Sequence, residues 1–292
     1  MANMMQPISI MAEHFRVRSR SPRIYMGFLL GMALTMIPTH RYLQYAEALH
    51  EPIQILEPFI ISLSVRQNMA FLVLGLLLVL SDAPFMTRRT PYVLLRTSRR
   101  KYVTGSLLYV VTMSAAYFLS LLLFTACVVS KYAYFGSFWS YPMYQLTQKT
   151  TTASLMNQFC MFFSYPYITN TFSPFYAALH AFLLSLIYAV ILGLIMFILN
   201  SIKGRVFGSV AALLVHAAGY VMMLEAAYGV PKYSLLGNAL LASHENTVPD
   251  GSKLTLSFSY LYLTAILLTL TSFCYWFFKR TDFRISTGEG SE

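Results

Sequence analysis

The chain is organised around residues 81–105, which read SDAPFMTRRTPYVLLRTSRRKYVTG. This stretch interrupts a strongly apolar sequence. Thr90 and Pro91 form a helix-start signal, because a hydroxyl can accept a hydrogen bond from a first-turn amide and proline has no N–H to leave unpaired there. We therefore predict a short helix over 91–96. The stretch also holds six of the 21 basic residues, which are Arg88, Arg89, Arg96, Arg99, Arg100 and Lys101.

A second helix start follows at Thr97 and Ser98, directly before the three cations at positions 99–101. Positive charge in a first helical turn is disfavoured by the helix macrodipole, by roughly 0.3 kcal/mol or more. Helix stability therefore does not explain these cations. Membrane topology and a partner surface are the two explanations that remain.

The composition indicates an integral membrane protein. Of the 292 residues, 57% are hydrophobic and 11% are charged, whereas an ordinary soluble domain has about 25% charged residues. The formal charge of +10 is scattered between apolar segments, which favours anionic lipid headgroups over nucleic acid as its partner. The three cysteines fit neither a disulfide framework nor a metal cluster; they are Cys127, Cys160 and Cys274.

Long uncharged runs predict an all-α polytopic membrane protein with one transmembrane domain over residues 1–292. The six predicted transmembrane helices lie near 24–40, 67–87, 102–130, 175–200, 206–224 and 254–278. The segment 1–23 is expected to lie in the cytoplasm or along the membrane interface. Two apolar pieces, 58–65 and 233–242, are too short to span and are expected to form interfacial or re-entrant helices.

Lysine and arginine are unequally divided between the two predicted sides. The N-terminal segment, the loop 88–101, the turn with Lys203 and Arg205, and the tail 279–292 hold fifteen of them. The positive-inside rule therefore places both termini and the loop 88–101 in the cytoplasm. The other six are Arg41, Arg66, Lys131, Lys149, Lys232 and Lys253.

Sequence motifs for chemistry are absent. The chain has no G-x-x-x-x-G-K-[ST] phosphate loop, no H-E-x-x-H and no G-x-S-x-G. We therefore expect no enzymatic activity in this chain and an external source for any energy it uses. A metal site is not expected either, because the acidic and histidine residues that follow the first span lack tight spacing, which favours a solvated loop face; they are His40, Glu47, His50 and Glu51.

Two histidines, His180 and His216, lie within predicted spans. A polar side chain at membrane depth is a candidate for proton relay or substrate contact. Neither histidine has an intramembrane carboxylate at helical spacing, so a structural hydrogen bond to a neighbouring helix is favoured for His216.

Two glycine pairs have the spacing that lets helix backbones approach closely. Gly27 and Gly31 lie in the first predicted span, and Gly204 and Gly208 lie at the start of the fifth. Packing within the chain and contact with another subunit both fit this pattern.

Residues 81–109, SDAPFMTRRTPYVLLRTSRRKYVTGSLLY, follow one apolar helix and enter another. This run resembles the cytoplasmic loop between the second and third helices of six-helix bacterial ABC exporter permeases, the type-2 ABC transporter permease family. The chain is also similar to that family in helix count, in cytoplasmic termini, in an N-terminal interfacial segment and in having no nucleotide site of its own.

The resemblance implies that this chain is the transmembrane subunit of an ATP-driven exporter for a hydrophobic or amphipathic substrate in the bacterial cytoplasmic membrane. It implies two kinds of protein partner, an ATP-binding cassette subunit and a second permease copy or paralogue, in addition to the membrane lipids that the charge distribution favours. ATP and Mg would be held by the partner subunit, with no cofactor in this chain. The alternative is a membrane accessory or sensor protein that does not transport and binds a cytosolic partner through the same loop.

The resemblance also assigns roles to residues. The coupling contact with the ATPase would be formed by Thr90, Pro91, Tyr92, Val93, Leu94, Leu95 and Arg96. The flanking cations, Arg88, Arg89, Arg99, Arg100 and Lys101, would anchor the loop on the cytoplasmic side. Separately, their place within the spans makes His216 and His180 candidates for a substrate path.

Overall fold

The computed structural model describes residues 2–81, 97–148, 157–161, 163–203, 206–224, 230–244 and 254–280. The described chain is mostly helical. Its helices are α1 (Ala2–Arg18), α2 (Pro22–Ala48), α3 (Glu57–Ser64), α4 (Arg66–Leu80), α5 (Arg99–Val129), α6 (Tyr141–Thr147), α7 (Pro166–Thr171), α8 (Pro174–Lys203), α9 (Phe207–Leu224), α10 (Leu235–Ala239) and α11 (Leu256–Arg280). Strands β1 (Ile53–Gln54) and β2 (Ala133–Tyr134) pair in parallel.

Within the described ranges, four helices are long and apolar enough to cross a membrane: α5, α8, α9 and α11. Helices α3 and α4 would form a fifth crossing if they count as one span, with a bend of 87° between them. The all-α membrane architecture is thus confirmed, whereas six spans and the sides of the termini stay predictions. Helix α2 has 27 residues and extends beyond the predicted span 24–40 at both ends. Its uncharged part lies between Arg23 and Arg41.

Helix α8 is the centre of the bundle. In its most apolar stretch 67% of the residues are buried inside the protein, compared with 17% in α11. Phe197 of α8 packs against Phe278 of α11 with ring centres 4.9 Å apart. The peripheral helices α9 and α11 leave most of their apolar surface exposed, as expected of helices that face lipid.

The first glycine pair packs inside the chain. A Cβ atom on Gly27 would lie 2.7 Å from the carbonyl oxygen of Gly75 in α4, so the backbones of α2 and α4 touch there. Tyr117 of α5 fills the space beside Gly31 and Gly75 and donates a hydrogen bond to the carbonyl oxygen of Leu72 (2.7 Å). Of the two interpretations of this spacing, packing within the chain is the one that the structure shows.

The second glycine pair lies at the turn from α8 to α9. The amide of Gly208 donates to Oδ1 of Asn200 (2.6 Å), and a Cβ atom at Gly208 would collide with that side chain. This glycine also packs within the chain. Its predicted companion, Gly204, lies outside the described residues.

Two ends of the bundle are distinguished below. The loop end is where α4 ends and α5 begins, and the strand end is where β1 and β2 pair. Helices α2 and α5 run in the same direction, so the strands that follow them at the strand end pair in parallel, with Ile53 opposite Ala133 and Gln54 opposite Tyr134.

The strand end is covered by short helices. The predicted apolar piece 58–65 forms α3, in which all eight residues are buried. The piece 233–242 forms α10 and the 3₁₀ turns Val230–Tyr233 and Leu241–Ser243 beside it. Both pieces pack into the protein.

Candidate functional site

Most of the predicted coupling loop lies outside the described residues. This holds for Arg88, Arg89, Thr90, Pro91, Tyr92, Val93, Leu94, Leu95 and Arg96. The second predicted helix start is confirmed, because the hydroxyl of Ser98 accepts from the amide of Lys101 (3.4 Å) at the beginning of α5. Arg99, Arg100 and Lys101 are the first three residues of that helix.

The start of α5 is joined to the end of α11 at the loop end. Arg99 Nη1 donates to the carbonyl oxygen of Lys279 (3.4 Å). The hydroxyls of Thr104 and Tyr275 are 2.9 Å apart. These two contacts connect the first turns of α5 with the last turns of α11.

Helix α1 crosses the same part of α5. A Cβ atom on Gly105 would lie 2.8 Å from Ile10, so the two helices are in close contact. His14 is buried between them, with Nε2 3.3 Å from the hydroxyl of Ser106. Burial and the nearby charge of Arg18 lower the pKa of His14 to about 4. The ring is therefore neutral at pH 7.

His216 joins three helices in the interior of the bundle. It is buried in α9, with Nε2 3.1 Å from the carbonyl oxygen of Ala70 in α4 and Nδ1 2.7 Å from the hydroxyl of Tyr188 in α8. A carbonyl oxygen can only accept, so Nε2 carries the proton and Nδ1 accepts from Tyr188. This geometry confirms the structural hydrogen bond that was favoured for His216.

His180 makes a different contact near the start of α8. Its Nδ1 is 2.9 Å from the hydroxyl of Tyr260 in α11, and its ring centre is 5.1 Å from that of Phe172. The hydrogen bonds of His180 and His216 thus go to different tyrosines and different helices. A common substrate path through both stays a prediction.

A third polar position, which the sequence did not single out, lies at the break between α3 and α4. Arg66 is the first residue of α4, and its Nη1 donates to the carbonyl oxygen of Met223 near the end of α9 (3.0 Å). Its guanidinium carbon lies 5.5 Å from the centre of the Tyr220 ring. Met223 and Tyr220 follow His216 on one face of α9, so Arg66 and His216 lie along the same seam between α4 and α9.

Several buried polar side-chain atoms have no hydrogen-bond partner within the described part of the chain. They include Nε of Arg66, Oγ of Ser64 and Oγ of Ser164. Burial raises the pKa of Tyr165, next to Ser164, while the positive charge of Arg66 opposes that rise. Arg66 therefore acts on this segment as well as on α9. Val65, between α3 and α4, provides no side-chain cap for α4.

Glu57 is the fully buried carboxylate at the other end of α3. Its Oε2 accepts from the hydroxyls of Tyr42 (2.8 Å) and Ser140 (2.7 Å) and from the amide of Gln54 (3.0 Å). Its Oε1 accepts from the amide of Ser140 (2.8 Å). Burial raises the pKa of Glu57, and the hydrogen bonds from Ser140, Tyr42 and Gln54 offset part of that rise. Through these bonds Glu57 holds α2, β1 and the start of α6 together.

Sequence reasoning placed Glu57 in an outer loop and missed this role. A signal was present, since a glutamate followed by Pro58 and an apolar run is a helix start with its acid in the first turn. The donors come from positions 42, 54 and 140. Their approach depends on tertiary structure, which the spacing does not encode.

A network of hydrogen bonds also holds α10 in place. The amide nitrogen of Asn238 donates to the carbonyl oxygens of Lys232 and Ser234 (both 2.8 Å). Oδ1 of Asn238 accepts from the hydroxyl of Ser259 in α11 (2.7 Å), and that hydroxyl is 2.9 Å from Nε2 of His244. This network fastens the short helix to α11 at the strand end.

A cavity of about 580 Å³ lies beside the strand pair. Glu47, His50, Glu51 and Lys131 line this cavity and are exposed, as expected of a solvated face. Among the residues that the structure describes, no group of three or more histidine, cysteine, aspartate or glutamate side chains could hold a metal ion.

Comparisons with protein-family models, with curated proteins and with solved structures find no match to this chain. The functional argument therefore depends on the residues and contacts described above.

Proposed function

We propose that this chain is the permease subunit of an ATP-driven exporter in the bacterial cytoplasmic membrane. In this proposal six helices, α2, α4, α5, α8, α9 and α11, span the membrane, and both termini are cytoplasmic. The substrate is hydrophobic or amphipathic. A separate ATP-binding subunit supplies ATP hydrolysis, and a second copy or a paralogue of this chain completes the transporter.

One observation supports this proposal most, and it concerns the helix that follows the loop. Helix α5 begins with three cations and is bonded at its base to α11 through Arg99 and through Thr104. Helix α1 packs across the same turns of α5. A force applied to the loop 88–101 would therefore move three helices together.

Such coupling fits alternating access by rigid-body motion. Packed helices move as units because their interfaces allow discrete arrangements and not continuous deformation. The ATPase would press on the loop, and the loop would shift α5 with α1 and α11 against the central helix α8. The cytoplasmic end would close while the far end opens.

The proposal is tested with Leu94→Glu and Leu95→Glu. Each change would bury a carboxylate against the ATPase, at a cost of roughly 3 kcal/mol or more if it stays unpaired. The spans and the charge balance of the loop ends stay almost unaltered. We expect normal insertion and membrane abundance together with loss of ATPase copurification or of ATP-driven transport.

The matched control is Arg88→Gln, which removes a flanking charge and should do much less. If both glutamate variants bind the ATPase and transport like the parent, the loop sets topology alone. Retention of a cytosolic protein that does not hydrolyse ATP would favour the accessory or sensor alternative.

The proposed orientation has its own test. Cys160 is exposed in the segment between α6 and α7, whereas Cys274 is buried in α11. We expect a membrane-impermeant thiol reagent to label Cys160 on intact cells and to leave Cys127, within α5, and Cys274 unlabelled. Labelling of Cys160 only after the membrane is opened would reverse the orientation.

A further inference from the structure

The break between α3 and α4 gathers hydrogen-bonding capacity that the described chain does not use. Ser64 is the last residue of α3 and is 1% exposed, and its hydroxyl has no partner there. Arg66, two residues later, has an unpartnered Nε. An unpartnered buried polar group is costly, by roughly 1–3 kcal/mol each, so two so close in sequence call for an explanation.

Within the described part of the chain, the charge at the break is also incompletely matched. The contacts shown for Arg66 are with the carbonyl oxygen of Met223 and with the ring of Tyr220. A carbonyl dipole and a ring face each carry only partial negative charge. The guanidinium has five N–H donors in a fixed fork, a shape suited to a carboxylate or a phosphate.

The start of α4 adds to the positive electrostatic potential at the break. Helix α4 is 15 residues long and begins at Arg66 without a side-chain cap, after a bend of 87°. Its first-turn amides carry the positive end of the helix dipole. Anionic groups bind at helix N-termini of this kind, because the first-turn amides point outward and the dipole favours negative charge there.

The surroundings of Arg66 suit a ligand that has both an anionic head and an apolar body. The seam between α4 and α9 continues from Arg66 past Tyr220 toward His216. Leu224 and Val221 on α9 are exposed apolar side chains. Arg66 itself is partly exposed at the strand end of this seam.

We propose that Arg66 and Ser64 bind the anionic group, a carboxylate or a phosphate, of an amphipathic ligand at the break between α3 and α4. Nε of Arg66 and Oγ of Ser64 have almost no accessible surface in the structure, so the ligand must displace the side chains over the break before one of its oxygens accepts from Nε of Arg66 and another accepts from the hydroxyl of Ser64. The alkyl body lies along the exposed apolar side chains of α9. The identification of this ligand as the exporter's cargo rests on the proposed function. The binding site itself does not.

The test uses the purified full-length chain in phosphatidylcholine nanodiscs, without any ATPase. Native mass spectrometry counts bound dodecyl phosphate, dodecanoate and, as the charge-reversed probe, dodecyltrimethylammonium. We expect one saturable site for the anionic probes and none for the cationic one. The tighter of the two anions identifies the headgroup chemistry.

Three variants assign the site. Arg66→Gln should weaken binding of the preferred anion by about tenfold or more, because a charge-assisted hydrogen bond is lost. Ser64→Ala should weaken it by about threefold to tenfold. Arg41→Gln removes an exposed cation from α2 and should change binding by less than about twofold.

Ser64→Ala keeps the inference falsifiable even if Arg66→Gln disturbs the end of α9. Removal of a hydroxyl that has no partner should not destabilise the fold, so weaker binding in this variant reports the site itself. Equal binding by parent and Ser64→Ala, or equal binding of the anionic and cationic probes, would overturn the inference. Because no ATPase is present, either outcome is independent of the exporter proposal.

Discussion

Glu57 and Arg66 stand at the two ends of α3, and their surroundings differ. The carboxylate of Glu57 is fully buried and accepts four hydrogen bonds from Tyr42, Gln54 and Ser140. The guanidinium of Arg66 is partly exposed and has an unused Nε within the described chain.

This difference separates a structural charge from a binding charge. A buried ion whose hydrogen-bonding capacity is fully used can only hold the fold together. A charged side chain that still has an unused hydrogen-bond donor can exchange a contact with solvent or protein for a contact with a ligand. The comparison leads to four predictions about stability, which follow in order of decreasing effect.

The largest effect is expected for Glu57→Gln. The amide nitrogen that replaces one carboxylate oxygen cannot accept, so at least one buried donor, the amide of Ser140, loses its acceptor at about 1–3 kcal/mol. The hydrogen bonds that remain are no longer charge-assisted and are weaker. The free energy of unfolding, measured by denaturant titration in detergent, should fall by about 2–6 kcal/mol. Glu51→Gln, an exposed acid nearby, is the control and should change it little. Equal stability of the Glu57 variant and the parent would show that the network adds nothing.

A third buried titratable side chain, His14, extends the comparison to the loop end. The pKa of His14 is lowered from 6.5 to about 4 by burial and by the charge of Arg18. The unfolded chain then binds the proton before the folded chain does, so stability is present above pH 6.5 and is lost as the pH falls toward 4. The full loss is about 3 kcal/mol.

This prediction is checked by hydrogen exchange of the α1 amides between pH 7 and pH 4.5, corrected for the intrinsic rate. Protection of α1 should decrease over that range more than protection of α8. In His14→Leu the pH dependence should disappear. A pH dependence that persists in this variant would assign it to another group.

Tyr42→Phe removes one donor to Glu57 and leaves the other three. A hydrogen bond to a charged group contributes about 1.5–3 kcal/mol, so the unfolding free energy should fall by that amount and by less than in Glu57→Gln. A larger loss than in Glu57→Gln would mean that the Tyr42 hydroxyl acts elsewhere, for example through its 3.1 Å contact with Ser140.

The smallest changes in unfolding free energy are expected for two serines of α3, and they should differ between the two. Both Ser62 and Ser64 are buried in α3, but Ser62 donates to the carbonyl oxygen of Pro58 (2.7 Å) and Ser64 has no partner among the described residues. Ser62→Ala should cost about 1 kcal/mol, and Ser64→Ala should cost about zero or stabilise slightly. A clear loss in Ser64→Ala would show that its hydroxyl is already satisfied, which would end the comparison.

Much of the helical architecture could be predicted from the sequence. Charged residues mark where apolar helices begin and end, because the bilayer excludes them, and Ser98 was identified as the start of α5 from local capping chemistry. The uncharged run predicts a membrane span near 24–40, and helix α2 continues beyond it to Ala48. Packing against Glu57 through Tyr42 keeps its last turns helical despite Arg41.

The polar sites could be predicted only in part. The sequence indicated that His216 bonds a neighbouring helix, but the identity of Tyr188 and Ala70 as partners depends on how three helices pack. In the sequence Arg66 is only one of the six cations on the less basic side. Its contact with Met223 joins positions 157 residues apart, so local spacing could not predict it. Such pairings are fixed by tertiary structure, which no local pattern reports.

The measurement that tests the central claim most directly is ATP hydrolysis by the complex that the chain retains. The full-length chain is cross-linked in native membranes, purified in mild detergent through an affinity tag, and assayed with Mg and ATP. The permease proposal predicts that a subunit with ATP-binding motifs copurifies, that the complex hydrolyses ATP, and that Leu94→Glu removes both. Purification of the chain without any ATP-hydrolysing partner, from membranes where it is active, would contradict the proposal.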